Sequence, residues 1–293
     1  MKSIVVVLLT GVMVGNTAYG QGSNVFSLEK HLPKELKEIS GVTKDGNALW
    51  AIADNSKNAL YKLDLSGNIS QKYIVNNVDF INAEAVTNDQ HYVYIGDVGD
   101  NAGTRPFRSI IRISKSDLNN KNTVRGEEIR FTFPDEGIIK KKKQNDFDCE
   151  AIMNFHDSIY LFTKRRDDGR TELYVLPKSP GSYVARSIGI FKVKGLITDA
   201  AVNPDGNEIA IIGYDEGHTN PFIYVFNNFS GNNFFSGTHK RYELTANKKI
   251  GWQVESISYA DNDSFFISCE KTADVPNTLY RISKSELALS SKH

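Results

Sequence analysis

Asp148-Cys149-Glu150-Ala151-Ile152, followed after a polar break by Ile159-Tyr160-Leu161-Phe162-Thr163 and then Lys164, is the stretch that decides the fold. It reads as a small-residue step into a β-branched residue, a turn, and an apolar strand that ends in a polar side chain. The same order recurs around Glu38-Ile39-Ser40-Gly41-Val42, Asn82-Ala83-Glu84-Ala85-Val86, Thr198-Asp199-Ala200-Ala201-Val202 and Gln253-Val254-Glu255-Ser256-Ile257. The apolar strands that follow are 49–53 before Asp54, 92–96 before Asp97, 209–213 before Tyr214 and 265–269 before Glu270. A third strand recurs at 59–63, 109–113, 172–176, 222–226 and 278–282, and a fourth at 69–75, 127–133, 183–193 and 239–245.

With Gly41, Ala85, Ala151, Ala201 and Ser256 as equivalent positions, the repeats are spaced 44, 66, 50 and 55 residues apart. Repeats of that length with strand periodicity mark propeller blades, and the helix-period stretches of a helical solenoid are absent. Lys44-Asp45-Gly46-Asn47, Pro204-Asp205-Gly206-Asn207 and Asp261-Asn262-Asp263 supply hairpin chemistry between first and second strands. The small residue at each step lets inner strands crowd around an axis. The fifth unit has no fourth strand of its own. The strand-like segment 24–29 is expected to pair onto it, closing the ring and hiding its edges. The expected fold is an all-β, five-bladed propeller of four-stranded antiparallel blades closed by an N-terminal strand. A six-bladed alternative needs a unit hidden in 88–147, which already holds three strands and a charged loop.

Lys2, the apolar run 4–15 and Ala18-Tyr19-Gly20 read as a secretory signal over 1–20, too short for a membrane span. The expectation is export to a periplasm or beyond, with one propeller domain over 21–283, a short tail over 284–293 and no membrane insertion. The formal net charge is zero, with 35 basic and 35 acidic residues, so no global field gathers nucleic acid. The basic run Lys140-Lys141-Lys142-Lys143 reads as a solvated loop. Cys149 and Cys269 are open to two readings, buried thiols or a bridge permitted by an oxidising compartment.

In a propeller the start of each first strand and the end of each second strand emerge on one face. That gathers Glu38, Asn82, Glu84, Asp148, Glu150, Asp199, Gln253 and Glu255 with Asp54, Asp97, Lys164, Tyr214 and Glu270. Alternation pairs Asn82 with Glu84, Asp148 with Glu150, and Gln253 with Glu255 on common faces. Converging carboxylates repel, so some must be protonated, ion-paired or bound to a cation. Asn82, Glu84, Asp148, Glu150 and Glu255 are the candidate metal ligands, and their hard oxygens suit Ca2+ or Mg2+. Glu38, Asp54, Asp97, Lys164, Tyr214 and Glu270 are the candidate ligand-binding rim. The competing reading pairs these acids with Lys164, Arg165, Lys271 or Arg105, or uses them as staples between blades. Gly96-Asp97-Val98-Gly99-Asp100-Asn101 reads either as a cation-wrapping loop or as a blade loop built on Asx turns. His218 falls on a mouth loop as a candidate base. No nucleophile elbow, zinc-protease helix or phosphate loop is present.

These motifs resemble exported propellers of the SdiA-regulated and phytase-esterase-like group, distantly similar to gluconolactonase-type propellers, over roughly 36–283. The resemblance rests on 38–41, 84–86, 96–101, 148–152, Leu161-Phe162-Thr163-Lys164 and 198–206. It implies a calcium held in the channel by positions such as Glu84, Asp148, Glu150 and Glu255. Two functions follow as expectations. One is a binding module taking a small-molecule ligand or envelope protein at the acidic mouth, with Phe107, Trp252 and Phe222 adding apolar contact. The other is a divalent-metal-dependent hydrolase of a phosphoester or lactone, with Asp148 or Glu150 as catalytic base.

Overall fold

The computed structural model describes residues 25–290, except 55, 120, 135–145, 216, 218–219 and 245–251. The signal-like segment, the Lys140–Lys143 run and His218 lie outside the described residues. Five sheets succeed one another along the chain. After β1 (Leu28–His31), the first blade holds β2 (Ile39–Asp45), β3 (Ala48–Ala53), β4 (Ala59–Asp64) and β5 (Ile69–Val75). The second holds β6 (Ala85–Asn88), β7 (Tyr92–Asp97) and β8 (Arg108–Ser114), then, after a short β9 (Thr123–Val124), β10 (Glu127–Thr132). The third contains β11 (Cys149–Phe155), β12 (Ser158–Thr163) and β13 (Thr171–Pro177), then, after β14 (Gly181–Val184), β15 (Arg186–Phe191). The fourth is β16 (Leu196–Val202), β17 (Glu208–Tyr214), β18 (Phe222–Asn227) and β19 (Thr238–Glu243). The fifth is β20 (Val254–Asp261), β21 (Ser264–Cys269) and β22 (Thr278–Ser283), and the chain then enters α1 (Lys284–Ser290).

The innermost strands touch in a closed circle, β2 to β6, β6 to β11, β11 to β16, β16 to β20 and β20 back to β2. The molecule is a five-bladed propeller. Second strands such as β12 and β21 are buried on both faces, which is why they read as unbroken apolar runs. The core is correspondingly divided into five apolar layers, each filled from two neighbouring blades. Gly41 shows how tightly the axis is packed, because a Cβ there would meet the Val86 backbone nitrogen at 2.9 Å and Ile52 at 3.2 Å.

The N-terminal strand does complete the fifth blade: β1 pairs antiparallel with β22, Leu28 opposite Arg281 and His31 opposite Thr278. It sits a few residues later than 24–29 because Leu28 and Leu32 are the side chains that pack with Leu279 in the layer between blades five and one.

Outside this ring, each blade is clasped by a piece of the next. β9 leaves the second blade to pair in parallel with β5 of the first, and β14 leaves the third to pair in parallel with β10 of the second. A 3-10 turn of the fourth blade, Phe234–Ser236, lies against β15 of the third, with Phe235 stacked on Phe191 at 5.2 Å. The helix α1 follows the fifth blade and packs on β19 of the fourth, with Leu287 fully buried. Two expectations are corrected here. The stretch 183–193 is not one strand: it divides around Ala185, serving blade two and then blade three. The polar tail beyond 283 carries a structured, core-anchored turn of helix. Short clasps cover strand edges that would otherwise template intermolecular pairing.

Candidate functional site

The site grows from one irregularity repeated around the axis. In four inner strands the ladder skips a residue at the same level, between Ile39 and Gly41, Cys149 and Ala151, Ile197 and Asp199, and Val254 and Ser256. The bulged residues are therefore Ser40, Glu150, Thr198 and Glu255. In the second blade the corresponding level belongs to Glu84, whose N–H donates to the Gly96 carbonyl at 2.9 Å just before β6 begins. A bulge frees its extra residue from the ladder and re-aims the side chain. Ser40, Glu84, Glu150 and Glu255 all line one cavity of ≈ 390 Å³ at the channel mouth.

This register corrects the alignment of the fourth unit by two residues. Thr198, not Ala200, stands level with Glu150, and Asp199 occupies the level of Ala151 where the other blades place a small residue. Thr198 turns its hydroxyl to the Val254 carbonyl at 2.8 Å. Asp199 is buried between blades four and five and accepts the N–H groups of Ala200 at 2.8 Å and Ile257 at 2.9 Å. Burial pushes its carboxyl well above the usual range. It is a staple between blades, away from the cavity.

A second ring of side chains stands where the second strands end. Backbone bonds fix Asp54 to Glu38, Lys164 to Asp148 and Glu270 to Gln253, while Tyr214 pairs opposite Leu196. All four line the cavity. Asp97 does not. Ala85 pairs with Gly96, so Asp97 is level with Ala53, Thr163, Gly213 and Cys269, one residue short of the ring. A one-residue offset reverses the face. Asp97 instead accepts the N–H groups of Ile81 at 3.0 Å and Asn82 at 2.6 Å and pairs with Arg105 at 2.6 Å. Asp100 pairs with Arg108 at 2.6 Å. In the loop 96–101 both aspartates are thus taken by arginines. Asn101 alone of its polar side chains lines the cavity.

Five carboxylates (Asp54, Glu84, Glu150, Glu255, Glu270) and two cations (Lys164, Arg166) surround the cavity, with Gln253 and Tyr214 between them. Lys164 is 3% exposed; its ammonium contacts the Glu150 carboxylate and donates to the Tyr214 hydroxyl at 2.9 Å. Arg166 donates to Asn101 at 2.5 Å and Asp148 at 3.0 Å, with Glu150 3.7 Å away. Asp148 is fully buried and also accepts the Asp100 N–H at 2.9 Å, so it lies behind the cavity wall, holding Arg166 and the loop. Arg166 and Ser40 are the cavity residues that sequence reasoning missed, whereas Asn101 belongs to the loop it singled out. Arg166 was legible through alternation, being two residues beyond Lys164. Arg165, expected as a partner for the acids, faces the other way and pairs with Asp168 at 2.9 Å and Glu172 at 3.1 Å.

Crowding sets the protonation of this group. Burial raises Glu84 well above the ordinary carboxylate range, with Glu150 and Asp54 adding repulsion. Glu255 is raised well above it, again chiefly by burial. Burial also lifts Glu150 to about 7, against the pull of Lys164. Burial alone favours a neutral amine at Lys164, but Glu150, Tyr214 and Glu255 outweigh it and hold the proton more tightly than usual. Asp54 and Glu270 are shifted upward by burial and by Glu38. Glu38 itself sits outside the lining, half-exposed beside Lys37 at 3.0 Å. The carboxylates of Glu84 and Glu255 make no hydrogen bond or ion pair with another described residue.

Of the five candidate metal ligands, Glu84, Glu150 and Glu255 reach the cavity, whereas Asn82 and Asp148 do not line it. Asn82 packs on Gly99, where a Cβ would lie 2.1 Å from its amide nitrogen. Among the described residues no group of three or more His, Cys, Asp or Glu is gathered to hold a metal ion. Cys149 and Cys269 are buried thiols that form no disulfide. Trp252 and Phe222, expected as apolar contacts in exposed loops, are core residues at 1% and 0% exposure, and Phe107 lies under the Arg130 guanidinium at 4.9 Å. Trp252 and Phe222 fill the layers between blades, which removes these two from any docking surface, while Phe107 stays half-buried.

No family model matches the chain, and no curated protein matches it. Among solved structures it is similar to a PQQ-bound aldose sugar dehydrogenase from Streptomyces coelicolor, at 10% identity and TM-score 0.46 over 87% of this chain and 97% of that one. It is similar to Kuenenia stuttgartiensis hydrazine synthase at 11% identity and TM-score 0.43, over 87% and 89%. A luciferin-regenerating enzyme matches at 11% identity and TM-score 0.41, over 87% and 95%. Likenesses this distant carry nothing about ligand or chemistry. None of these comparisons shows the SdiA-regulated group, to which the chain is linked only by resemblance of its sequence motifs.

Proposed function

We propose that this chain is an exported ligand-binding propeller whose channel mouth takes a small cation. One observation carries the reading. Glu84 and Glu255 face a ≈ 390 Å³ cavity with no hydrogen bond or ion pair to a described residue, only the longer-range pull of Lys164, which Glu150 beside them already engages directly. Two carboxylates held there are stable only with protons or with a guest that brings positive charge. An arriving cation replaces those protons, and Gln253, Asn101 and Tyr214 supply oriented hydrogen-bonding groups around it.

An amine or guanidinium fits this better than a bare divalent ion. Calcium needs six to eight oxygens at about 2.3–2.6 Å, and the acids here are spread around a cavity rather than focused on a point. Thermal melts in calcium, magnesium, putrescine, choline and methylguanidinium test the reading, because a bound cation raises the melting temperature by linkage. The proposal expects a rise with at least one organic cation that is lost in Glu84→Gln/Glu255→Gln. A rise with calcium or magnesium alone would favour the rival reading, a metal-dependent hydrolase of a phosphoester or lactone. No rise with any of the five would end both.

A further inference from the structure

On the face opposite the acidic mouth, the hairpin turn of blade three, the hairpin turn of blade four and the β18–β19 connection enclose a groove of ≈ 540 Å³. Its walls combine ring surfaces with oriented amides. The His156 ring lies 4.0 Å from that of Phe155, and Phe229 meets Phe155 edge-on at 6.4 Å. His156 is exposed and holds a left-handed backbone (φ 49°), as does Asn228 (φ 57°) on the opposite wall. Gly206 and Gly231, also left-handed, leave the groove's turns open, since a Cβ at Gly231 would meet nothing and one at Gly206 only the edge of Phe155 at 3.9 Å.

The polar groups are held by their neighbours in one sense. Asn203 donates to Asn207 Oδ1 at 2.9 Å, which leaves the Asn207 amide nitrogen as a donor. Asn228 donates to Asn227 Oδ1 at 3.0 Å and Thr238 contacts the same oxygen, which leaves the Asn227 nitrogen as a second donor. Tyr259 at 2.8 Å and Lys284 both engage Glu208 Oε1, so Oε2 has no described partner and serves as acceptor. Two amide donors, one carboxylate acceptor and the rings of His156 and Phe229, set on the buried Phe155, form the complement of a pyranose. Its vicinal hydroxyls donate and accept along an edge, and its C–H faces lie on rings.

We propose that this groove is a saccharide-binding site, separate from the acidic mouth and independent of what the mouth binds. Saturation-transfer NMR on the purified protein, with the methyl glycosides of glucose, galactose, mannose and N-acetylglucosamine as probes, tests it. At least one glycoside is expected to receive saturation. Asn207→Ala and Asn227→Ala should each weaken its affinity about tenfold, the effect of losing one well-made hydrogen bond. Asn207 is exposed and Asn227 partly buried, and unchanged melting temperatures will show that the fold is intact. Glu38→Gln, half-exposed on the far face and outside the mouth's lining, should leave the glycoside's binding unaltered. Absence of transfer to all four glycosides would overturn the proposal. So would transfer that survives both asparagine substitutions, or transfer abolished by Glu38→Gln.

Discussion

Lys164→Met removes the charge that organises the mouth while keeping most of the side chain's volume. In the native protein the Lys164 ammonium is 3% exposed, against Glu150 and Tyr214. Losing one partner of a buried ion pair costs about 3–5 kcal/mol when the other stays charged. Glu150 can escape that cost by taking up a proton. Its carboxyl is already raised to about 7 by burial, and without Lys164 it rises further. An acid whose folded pKa lies above its unfolded value gives stability that is present below the unfolded pKa and is lost as pH climbs toward the folded one. The wild type should therefore lose stability between about pH 4.5 and 7 through Glu150 and then level off. The variant should keep losing it beyond 7. At pH 5 the substitution removes little more than hydrogen bonds, about 1–2 kcal/mol. At pH 8 it should cost the full amount, seen as a fall in melting temperature of roughly 6–20 °C for a domain of this size. Urea unfolding of both proteins at the two pH values reads the difference directly. An equal loss at pH 5 and pH 8, or none at either, would refute the argument that Lys164 neutralises Glu150.

Three further outcomes follow from the same geometry. Asp199→Asn turns an amide N–H toward one of the two backbone N–H groups that Asp199 now accepts. Chemical denaturation should show a loss of about 2–3 kcal/mol, and a neutral result would contradict its role as a staple between blades. Gly41→Ala forces a Cβ against the Val86 backbone at 2.9 Å and should cost about 1–3 kcal/mol in the same assay; a stabilised variant would mean that the inner strands are not so close. The Cys149 thiol is fully buried and pushed up to about 12 by that burial, and Cys269 is equally enclosed. Ellman's reagent should find no reactive thiol in the native protein and two in urea, and rapid native labelling would contradict that packing.

The blade count was legible because a propeller writes its symmetry into the chain as repeated steps, turns and apolar runs. Glu84, Glu150 and Glu255 were legible for the same reason, since the repeat aligns them at one level. The errors come from register, which spacing does not fix. The bulge between Ile197 and Asp199, shared with the other blades, marks the fourth unit's true register two residues from the alignment on Ala201, and a presumed mouth acid becomes a staple. At Asp97 an offset of a single residue moves a carboxylate from the cavity to Arg105. Hydrogen-bond registry depends on partners dozens of residues away, and no local pattern records it. The clasps, β9, β14 and α1, were hidden for a related reason. They are short, and their amphipathic pattern has meaning only against the neighbouring blade they cover. Arg105 and Lys164 were legible as partners of the acids and do pair with Asp97 and Glu150, but Arg108 and Arg166 were not, because each finds its aspartate through loop geometry rather than through sequence proximity on a strand.

The account depends most on Glu84 and Glu255 holding protons that a guest cation displaces. Titration calorimetry at pH 7 with the cation that raises the melting temperature, repeated in buffers of different ionisation enthalpy, measures that exchange. Binding should release protons from the native protein, and the release should vanish along with most of the affinity in Glu84→Gln/Glu255→Gln. Cation binding with no proton release, or with affinity unchanged in the double variant, would contradict the account.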